Sequence, residues 1–485
     1  MTTTTEDESA AEILDDVYFR NGFVIAEAGR EIEMRPGWGD MSLGGLRMIS
    51  HPETQVAVAA SDDRHVAVIG IAFDPERGLY DHDVILEQLL GDSRNEEVFL
   101  ETLDRLAGRF AVVVHTPART EIYQDAMGSR SVFYSTAGPA VAASHAELVR
   151  EAIGTHFADF FIPFITSRNY LQRDVKYLPG VATPYENVLQ LTPNTKLVMP
   201  EQRTERFWPR EPIGGALENG AAVDSLIHHL EGMAAFVTYQ KRRPVMGLTA
   251  GSDSRGMFAA LKDLDPYVFT YVRSENGTAV NSKDARAARE AGELHGLQTN
   301  VWPIQNRLGL NAVDDSFSHA YRLATAYYRG AGSAWLSRLA ELRSDIPTGI
   351  FIRGFGGEIM RGFYQLLSKR IVHVSVGQLS NAYDVNAGSK ITRRFFADMM
   401  ERTQFTDAHL QGYDPNDIFY WEHRMGTWGS VSLTEADLAM TSMVGYNSRN
   451  LYMTFMRLSG ADRASRVAFQ RATSALAPKL ADAIS

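Results

Sequence analysis

Gly247-Leu-Thr-Ala-Gly-Ser-Asp-Ser-Arg255 is the stretch on which the reading of this chain turns. A short apolar run precedes it (Val245, Met246, with Leu248 inside it), and a helix-like run from Met257 to Leu264 follows. Strand, small-residue turn, helix is the geometry of an anion site. Small residues let the backbone approach an oxyanion, and free N–H groups at the helix start point at it. Thr249, Ser252 and Ser254 add hydroxyl donors. Asp253 is the odd member, because a carboxylate in a phosphate cradle repels phosphate unless a cation lies between them. Asp253 therefore reads as a Mg²⁺ ligand. The loop lacks the lysine of G-x-x-x-x-G-K-[ST], so it is not a Walker P-loop. The competing reading is an ordinary strand–helix turn with no ligand, and a second element of the same kind decides between them.

That element is Ile350-Phe-Ile-Arg-Gly-Phe-Gly-Gly-Glu-Ile-Met-Arg-Gly-Phe-Tyr364, again strand, glycine turn, helix, and again with one acid in the turn, Glu358. Ligands of open parallel sheets bind beyond the carboxyl ends of the strands. Two such turns could hold one cation between their carboxylates and neutralise a triphosphate as pyrophosphate leaves.

Beyond Glu211, helical periodicity (Ala221 to Tyr239, Ser282 to His295, Ser316 to Ala326, Ala334 to Leu342) alternates with buried-looking strands. Those strands are Val245 to Thr249, Tyr267 to Val272, Thr299 to Trp302 and Gly349 to Arg353, a pattern that predicts a parallel sheet. From about Val376 the chain reads as almost wholly helical. Between Asp16 and Pro209 short strand-like runs dominate: Val56 to Ala60, His65 to Phe73, Phe110 to His115, Glu121 to Gln124, Val132 to Ser135, Ala140 to Ser144 and Lys196 to Met199. A helix fits Glu96 to Ala107. This is an antiparallel α+β layout. The boundary falls in Arg206 to Gly215, whose prolines and glycines suit a linker. The division is a disordered acidic tail over 1–15, an α+β half over 16–209 and an α/β half over 210–485.

A length of 485 residues suits two domains, and 45% hydrophobic with 22% charged residues suits a soluble globular protein. The net charge of −11 argues against nucleic acid and anionic membranes as partners. No apolar run reaches membrane-span length and no signal peptide is visible, so a cytoplasmic location is expected. The absence of cysteine excludes disulfides, thiolate metal sites and cysteine nucleophiles.

The loop at Thr249 resembles the Ser-Gly-Gly-x-Asp-Ser pyrophosphate loop of the ATP-pyrophosphatases, with Thr249 in the serine place. The chain as a whole resembles the asparagine synthetase/β-lactam synthetase family. Gly354 to Tyr364 lines up with that family's Gly-x-Gly-Ala-Asp-Glu-x-x-x-Gly-Tyr, so Glu358 falls on the metal-binding aspartate and Ile359 on the next acid. Asp437 to Arg449 is similar to the late helix ending in Glu-Ala-Arg, with Arg449 on the arginine. In the N-terminal half, Leu106-Ala-Gly-Arg-Phe-Ala, Gln124 to Tyr134 and Ala142-Ala-Ser-His-Ala-Glu resemble amidotransferase-domain patterns. The resemblance implies an Ntn-type sandwich followed by an ATP-pyrophosphatase domain with a mostly helical C-terminal part.

Three departures stand out. The glutaminase cysteine is missing; Thr2 begins a polar tail rather than a buried strand, so the Ntn-type half is expected to be an inert scaffold. The family's C-terminal catalytic lysine is missing, since Lys479 has the wrong spacing; Arg255, Arg353, Arg361, Arg424 and Arg449 are candidate replacements. Phe355 stands where β-lactam synthetases use a tyrosine in proton abstraction, which leaves Glu422, alone or with His423, as a candidate base. The competing reading makes Glu422 part of a packed helix with a salt bridge, although the aromatic segment Phe419 to Trp428 still suggests a pocket wall. His228 and His229 read as structural, and Asp284 as an N-terminal dipole residue.

What the resemblance implies is an ATP-dependent, AMP-forming carbon–nitrogen ligase of biosynthesis. It adenylates a carboxylate with ATP and Mg²⁺, releases pyrophosphate and couples the acyl group to an amine, within one molecule or between two. Thr249, Gly251, Ser252, Ser254 and Arg255 hold phosphate; Leu248, Val272 and Gly354 line the nucleotide pocket; Asp253 and Glu358 hold Mg²⁺; Glu422 and Arg449 join Asp253 and Glu358 in catalysis. The expected partners are a small-molecule or peptide carboxylate and an amine acceptor, with a homodimer left open. The alternative is a non-catalytic descendant that binds nucleotide or a partner protein.

Overall fold

Side-chain alternation builds the first half. In the strand Phe23–Glu27, Phe23 and Ile25 turn into one core with Ala67, Ile69, Ala111 and Val113, while Val24 and Ala26 are buried on the opposite face of their sheet, as Val66, Val68 and Val112 are on the opposite face of theirs. Period-two burial on both faces requires a sheet covered on both sides. The computed structural model, which describes residues 17–173, 175–275, 278–279, 282–305, 315–326, 334–366 and 371–482, shows two six-stranded antiparallel sheets face to face. One runs Val188–Gln190, Phe133–Ser135, Val141–Ala143, Phe23–Glu27, Leu46–Ser50, Gly39–Leu43. The other runs Arg203–Arg206, Thr195–Val198, Arg119–Gln124, Ala107–Thr116, Arg64–Phe73, Val56–Ser61. Helices His82–Asp92 and Glu96–Arg105 cover the second sheet, and Ala146–Ile153 covers the first, giving a helix–sheet–sheet–helix stack. Asp81 and Asn95 cap the first two helices through their side chains. The acidic tail and Thr2 lie outside the described residues.

The second half holds a parallel sheet in the spatial order Thr299–Gln305, Tyr267–Glu275, Arg243–Gly247, Gly349–Arg353, Ser442–Val444. The first of these strands in the chain, Arg243–Gly247, lies in the middle. The next two build outward on one side, and the last two build outward on the other. The order therefore reverses beside Arg243–Gly247, which puts a ligand crevice beyond its carboxyl end and that of Gly349–Arg353.

Two expectations need correction. Asp437 to Arg449 is not a helix. Helix Ser430–Asp437 ends there, Ser442–Val444 pairs in parallel with Phe351 to Arg353, and Arg449 opens the next helix, Arg449–Met456. The Asp437 carboxylate turns the chain by accepting from the Ser442 N–H at 3.3 Å and hydroxyl at 3.0 Å. Nor is Arg206 to Gly215 a free linker: Trp208 is buried against Tyr413 and Trp421, at ring separations of 4.7 and 4.9 Å. The two halves meet through buried polar ties. Arg109 binds Asp437 at 2.6 Å, and Asn447 Nδ2 donates to Gly108 O at 2.6 Å and to Asp125 Oδ1 at 2.7 Å. Among the described residues no helix is long and apolar enough to cross a membrane.

Candidate active site

Both glycine turns emerge at the crevice. Helix Ser252–Leu261 starts at Gly251 with no side-chain cap, so its first amides face the crevice as donors. The turn is braced internally. Thr249 and Ser254 hydroxyls lie 2.9 Å apart, Ser254 Oγ accepts from Thr249 N at 3.1 Å, and Gly251 N donates to Thr249 Oγ1 at 3.1 Å. Ala250 N donates to Asp284 Oδ1 at 2.9 Å, so Asp284 clamps the loop as well as opening the helix Lys283–Leu294.

The second turn packs directly on the first, which explains its glycines. A Cβ on Gly354 would lie 2.9 Å from Ser254 Cα, and one on Gly357 would lie 2.7 Å from the Asp253 carboxyl carbon. Asp253 and Glu358 are thereby brought together. Arg361 Nη2 lies 2.7 Å from Asp253 Oδ2 and 4.0 Å from Glu358 Oε1. Glu358 Oε2 also accepts from Gly356 N at 2.9 Å. Burial, then repulsion from Glu358, pushes the Asp253 carboxyl up to about 7, against the pull of Arg361. Among the described residues no third acid, histidine or cysteine completes a metal cluster with them. The hard oxygen pair nevertheless fits Mg²⁺, which keeps several waters and takes phosphate oxygens as its other ligands.

These groups line one cavity of about 750 Å³. Thr249, Gly251, Ser252, Asp253, Ser254, Gly354, Glu358 and Arg361 belong to its wall. So do aromatic side chains: Phe269 and Tyr271, two apart on one strand, with Trp335, Phe351, Phe355 and Trp428. Arg353 lies 4.4 Å over the Phe355 ring and 5.8 Å over that of Trp335. Tyr321 donates to Glu435 at 2.9 Å in the same wall. The spacing of Phe269 and Tyr271 was a readable signal. Lys176 and Arg466, which also reach the wall, carried none.

Other expected site residues lie elsewhere. Leu248 is buried, with its N–H on Phe269 O at 2.8 Å, and Val272 is buried; neither is in the wall. Arg255 and Arg424 are outside it too, Arg424 lying over the rings of Phe363, Tyr420 and Trp428. Of the aromatic segment Phe419 to Trp428, only Trp428 reaches the cavity.

Glu422 and Arg449 need outright correction, because neither is at the cavity. Glu422 is fully buried in a two-pronged pair with Arg206 at 2.7 and 2.8 Å, and it accepts from Asn194 Nδ2 at 3.0 Å. Arg449 is fully buried, its Nε on Asn194 Oδ1 at 3.0 Å and its Nη1 on Asp104 at 2.9 Å. One chain, Arg206–Glu422–Asn194–Arg449–Asp104, thus ties the halves together. His423 sits among the rings of Tyr177, Tyr383, Phe396 and Phe419, and burial lowers it to about 3, so it stays neutral. His229 is buried with its Nε2 2.7 Å from Gly445 O, in keeping with a structural role.

No protein-family model matches the chain, and no curated protein does. Similar solved structures include the NMN synthetase from Francisella tularensis, at 14% identity over 43% of this chain and 94% of that one, with a TM-score of 0.20. The NH3-dependent NAD synthetase from Campylobacter jejuni stands at 14%, 39%, 94% and 0.21. The glutamine phosphoribosylpyrophosphate amidotransferase from B. subtilis stands at 13%, 77%, 75% and 0.22. At such distances a likeness does not fix a reaction, and the geometry of the site has to carry the functional reading.

Proposed function

We propose that the protein is an ATP-dependent, AMP-forming ligase that adenylates a carboxylate on Mg²⁺, releases pyrophosphate and passes the acyl group to an amine. One observation carries this reading. At the point where strand order reverses, two touching glycine turns bring Asp253 and Glu358 to one guanidinium nitrogen, beside an uncapped helix N-terminus in a single cavity. The amides of Ser252 to Ser254 and the neighbouring hydroxyls bind phosphate. Asp253 and Glu358 would hold Mg²⁺, which when bound neutralises charge on the phosphate oxygens. Arg361 holds the acid pair in place. The aromatic wall with Arg353 suits the carboxylate substrate, whose charge Arg353 meets and whose body the rings shield from water. Attack by a carboxylate oxygen on the α-phosphorus breaks the bond to the β-phosphate, and the electron pair leaves on the bridging oxygen. Preorganised donors at that oxygen lower the barrier.

The test is pyrophosphate release from ATP and Mg²⁺ across a panel of carboxylates. No stimulation by any carboxylate would favour the non-catalytic alternative, for which the neutralisation of Asp253 by Arg361 is the motivating contact. Glu358→Gln should raise the Mg²⁺ concentration for half-maximal turnover by at least about tenfold, the lower end of what losing even a ligand's supporting partner costs. Glu358→Asp should be milder. A Mg²⁺ titration unchanged in both variants would remove Glu358 from the metal site.

The N-terminal half is proposed to be an inert scaffold, and free ammonia or an organic amine to be the acceptor. Glutamine should yield no glutamate above a Thr2→Ala control. Release above that control would make Thr2 a nucleophile and overturn the scaffold reading.

A further inference from the structure

We propose that Arg466 is the cation that takes up the charge of departing pyrophosphate, an inference that rests on the adenylating reading above. Among the described residues the cavity wall holds the basic side chains Lys176, Arg353, Arg361 and Arg466. Three have other work. Lys176 Nζ donates to the carbonyl oxygens of Tyr170, Leu171 and Arg173 at 2.8, 3.0 and 2.6 Å. Arg353 lies over Phe355 at the aromatic end and donates to Ser432 O at 3.2 Å. Arg361 is held on Asp253. The exposed Arg466 guanidinium has no hydrogen-bond or ion-pair partner among the described residues.

Its position is the phosphate end. Arg466 joins helices Gly460–Ser465 and Val467–Leu476, and the second of these packs along Ser252–Leu261. Phe469, one turn into that helix, lies beneath the Arg361 guanidinium at 6.0 Å. The backbone at Arg466 is left-handed, with φ 62° and ψ 13°, at the position that ends the first helix. Glycine is the residue for that position, since a Cβ there is strained. No other described wall residue has a positive φ. A strained backbone kept at a cavity wall, with a free charge on its side chain, marks a position held for function at the expense of local stability.

Charge counting gives the reason. Asp253, Glu358, Arg361 and one Mg²⁺ sum to one formal positive charge. Pyrophosphate leaving with the bridging electron pair carries several negative charges, so a further cation is required at the same end. Arg466 supplies it, with guanidinium N–H groups that match two phosphate oxygens.

The test uses the full chain with Arg466→Gly and Arg466→Lys. Thermal melting, calorimetric binding of magnesium pyrophosphate and pyrophosphate release are measured on each. Arg466→Gly should melt about 1–3 °C higher, because the strain is relieved. It should bind magnesium pyrophosphate roughly ten- to a hundredfold more weakly, the loss of a charged hydrogen-bond donor. Its pyrophosphate release should slow in step, and Arg466→Lys should recover part of both. Wild-type release with undiminished binding and release in Arg466→Gly overturns the assignment while leaving the ligase reading standing. A variant that melts lower and loses binding in proportion shows a structural role and also overturns it. A wild-type protein that neither binds magnesium pyrophosphate nor releases it overturns the ligase reading, and this assignment with it.

Discussion

Asp253→Asn should cut Mg²⁺-dependent pyrophosphate release by about a hundredfold or more, the scale on which removing a single preorganised charge-stabilising group acts. The substitution keeps the shape, removes the charge and turns one of the two oxygens that accept from Arg361 and Ser252 into a donor. Asp253 is 6% exposed, it opens helix Ser252–Leu261, and its carboxylate sits against Gly357 of the opposing turn, so nothing else occupies its place. The fold should survive, because Arg361, the partner left behind, retains Glu358 at 4.0 Å. The same carboxyl sets a pH dependence. Since burial raises it to about 7, its charged form is lost as pH falls through that value, and Mg²⁺ affinity should fall with it. Unchanged release in a folded Asp253→Asn variant would show that this acid is not the ligand.

Glu422→Gln should have the opposite profile. It should destabilise the protein by about 3–5 kcal/mol, the typical result of leaving one half of a buried ion pair uncompensated. The Arg206 side chain is 3% exposed and that of Glu422 0%, so solvent cannot take over the lost charge. Asn194, which joins Glu422 to Arg449, should transmit the loss along the tie between the halves. Turnover per folded molecule should change little, because Glu422 does not reach the cavity. The readout is the denaturant midpoint alongside pyrophosphate release. An unaltered midpoint with lost turnover would restore Glu422 as a base.

These two acids differ in how much of their setting is local in the chain. Asp253 lies in a local pattern, strand then small residues then helix, that falls within Gly247 to Arg255, and its contacts with Arg361 and Gly357 come from a second turn of the same pattern. The turn after Gly349–Arg353 was legible for the same reason, as was the parallel sheet from its alternating periods. Glu422 takes its meaning from Arg206 and Asn194, both more than two hundred positions away in the chain, and no spacing reveals that. Arg449 was misplaced likewise, because three residues of edge strand, Ser442–Val444, interrupt what reads as continuous helix. Gly39–Leu43 is polar and largely exposed and Val188–Gln190 is three residues long, so neither shows an apolar run; Phe23–Glu27 was also missed, although its core is apolar. Arg466 depends on a backbone dihedral, and its type gives no sign of one.

In the proposed reaction ATP is cleaved between its α- and β-phosphates at the Asp253–Glu358 end of the cavity. Phosphorus NMR of the protein turning over ATP with Mg²⁺ and an accepted carboxylate tests it directly. AMP and pyrophosphate are expected in equal amounts, with neither formed when the carboxylate is withheld. ADP and orthophosphate as the products would contradict it.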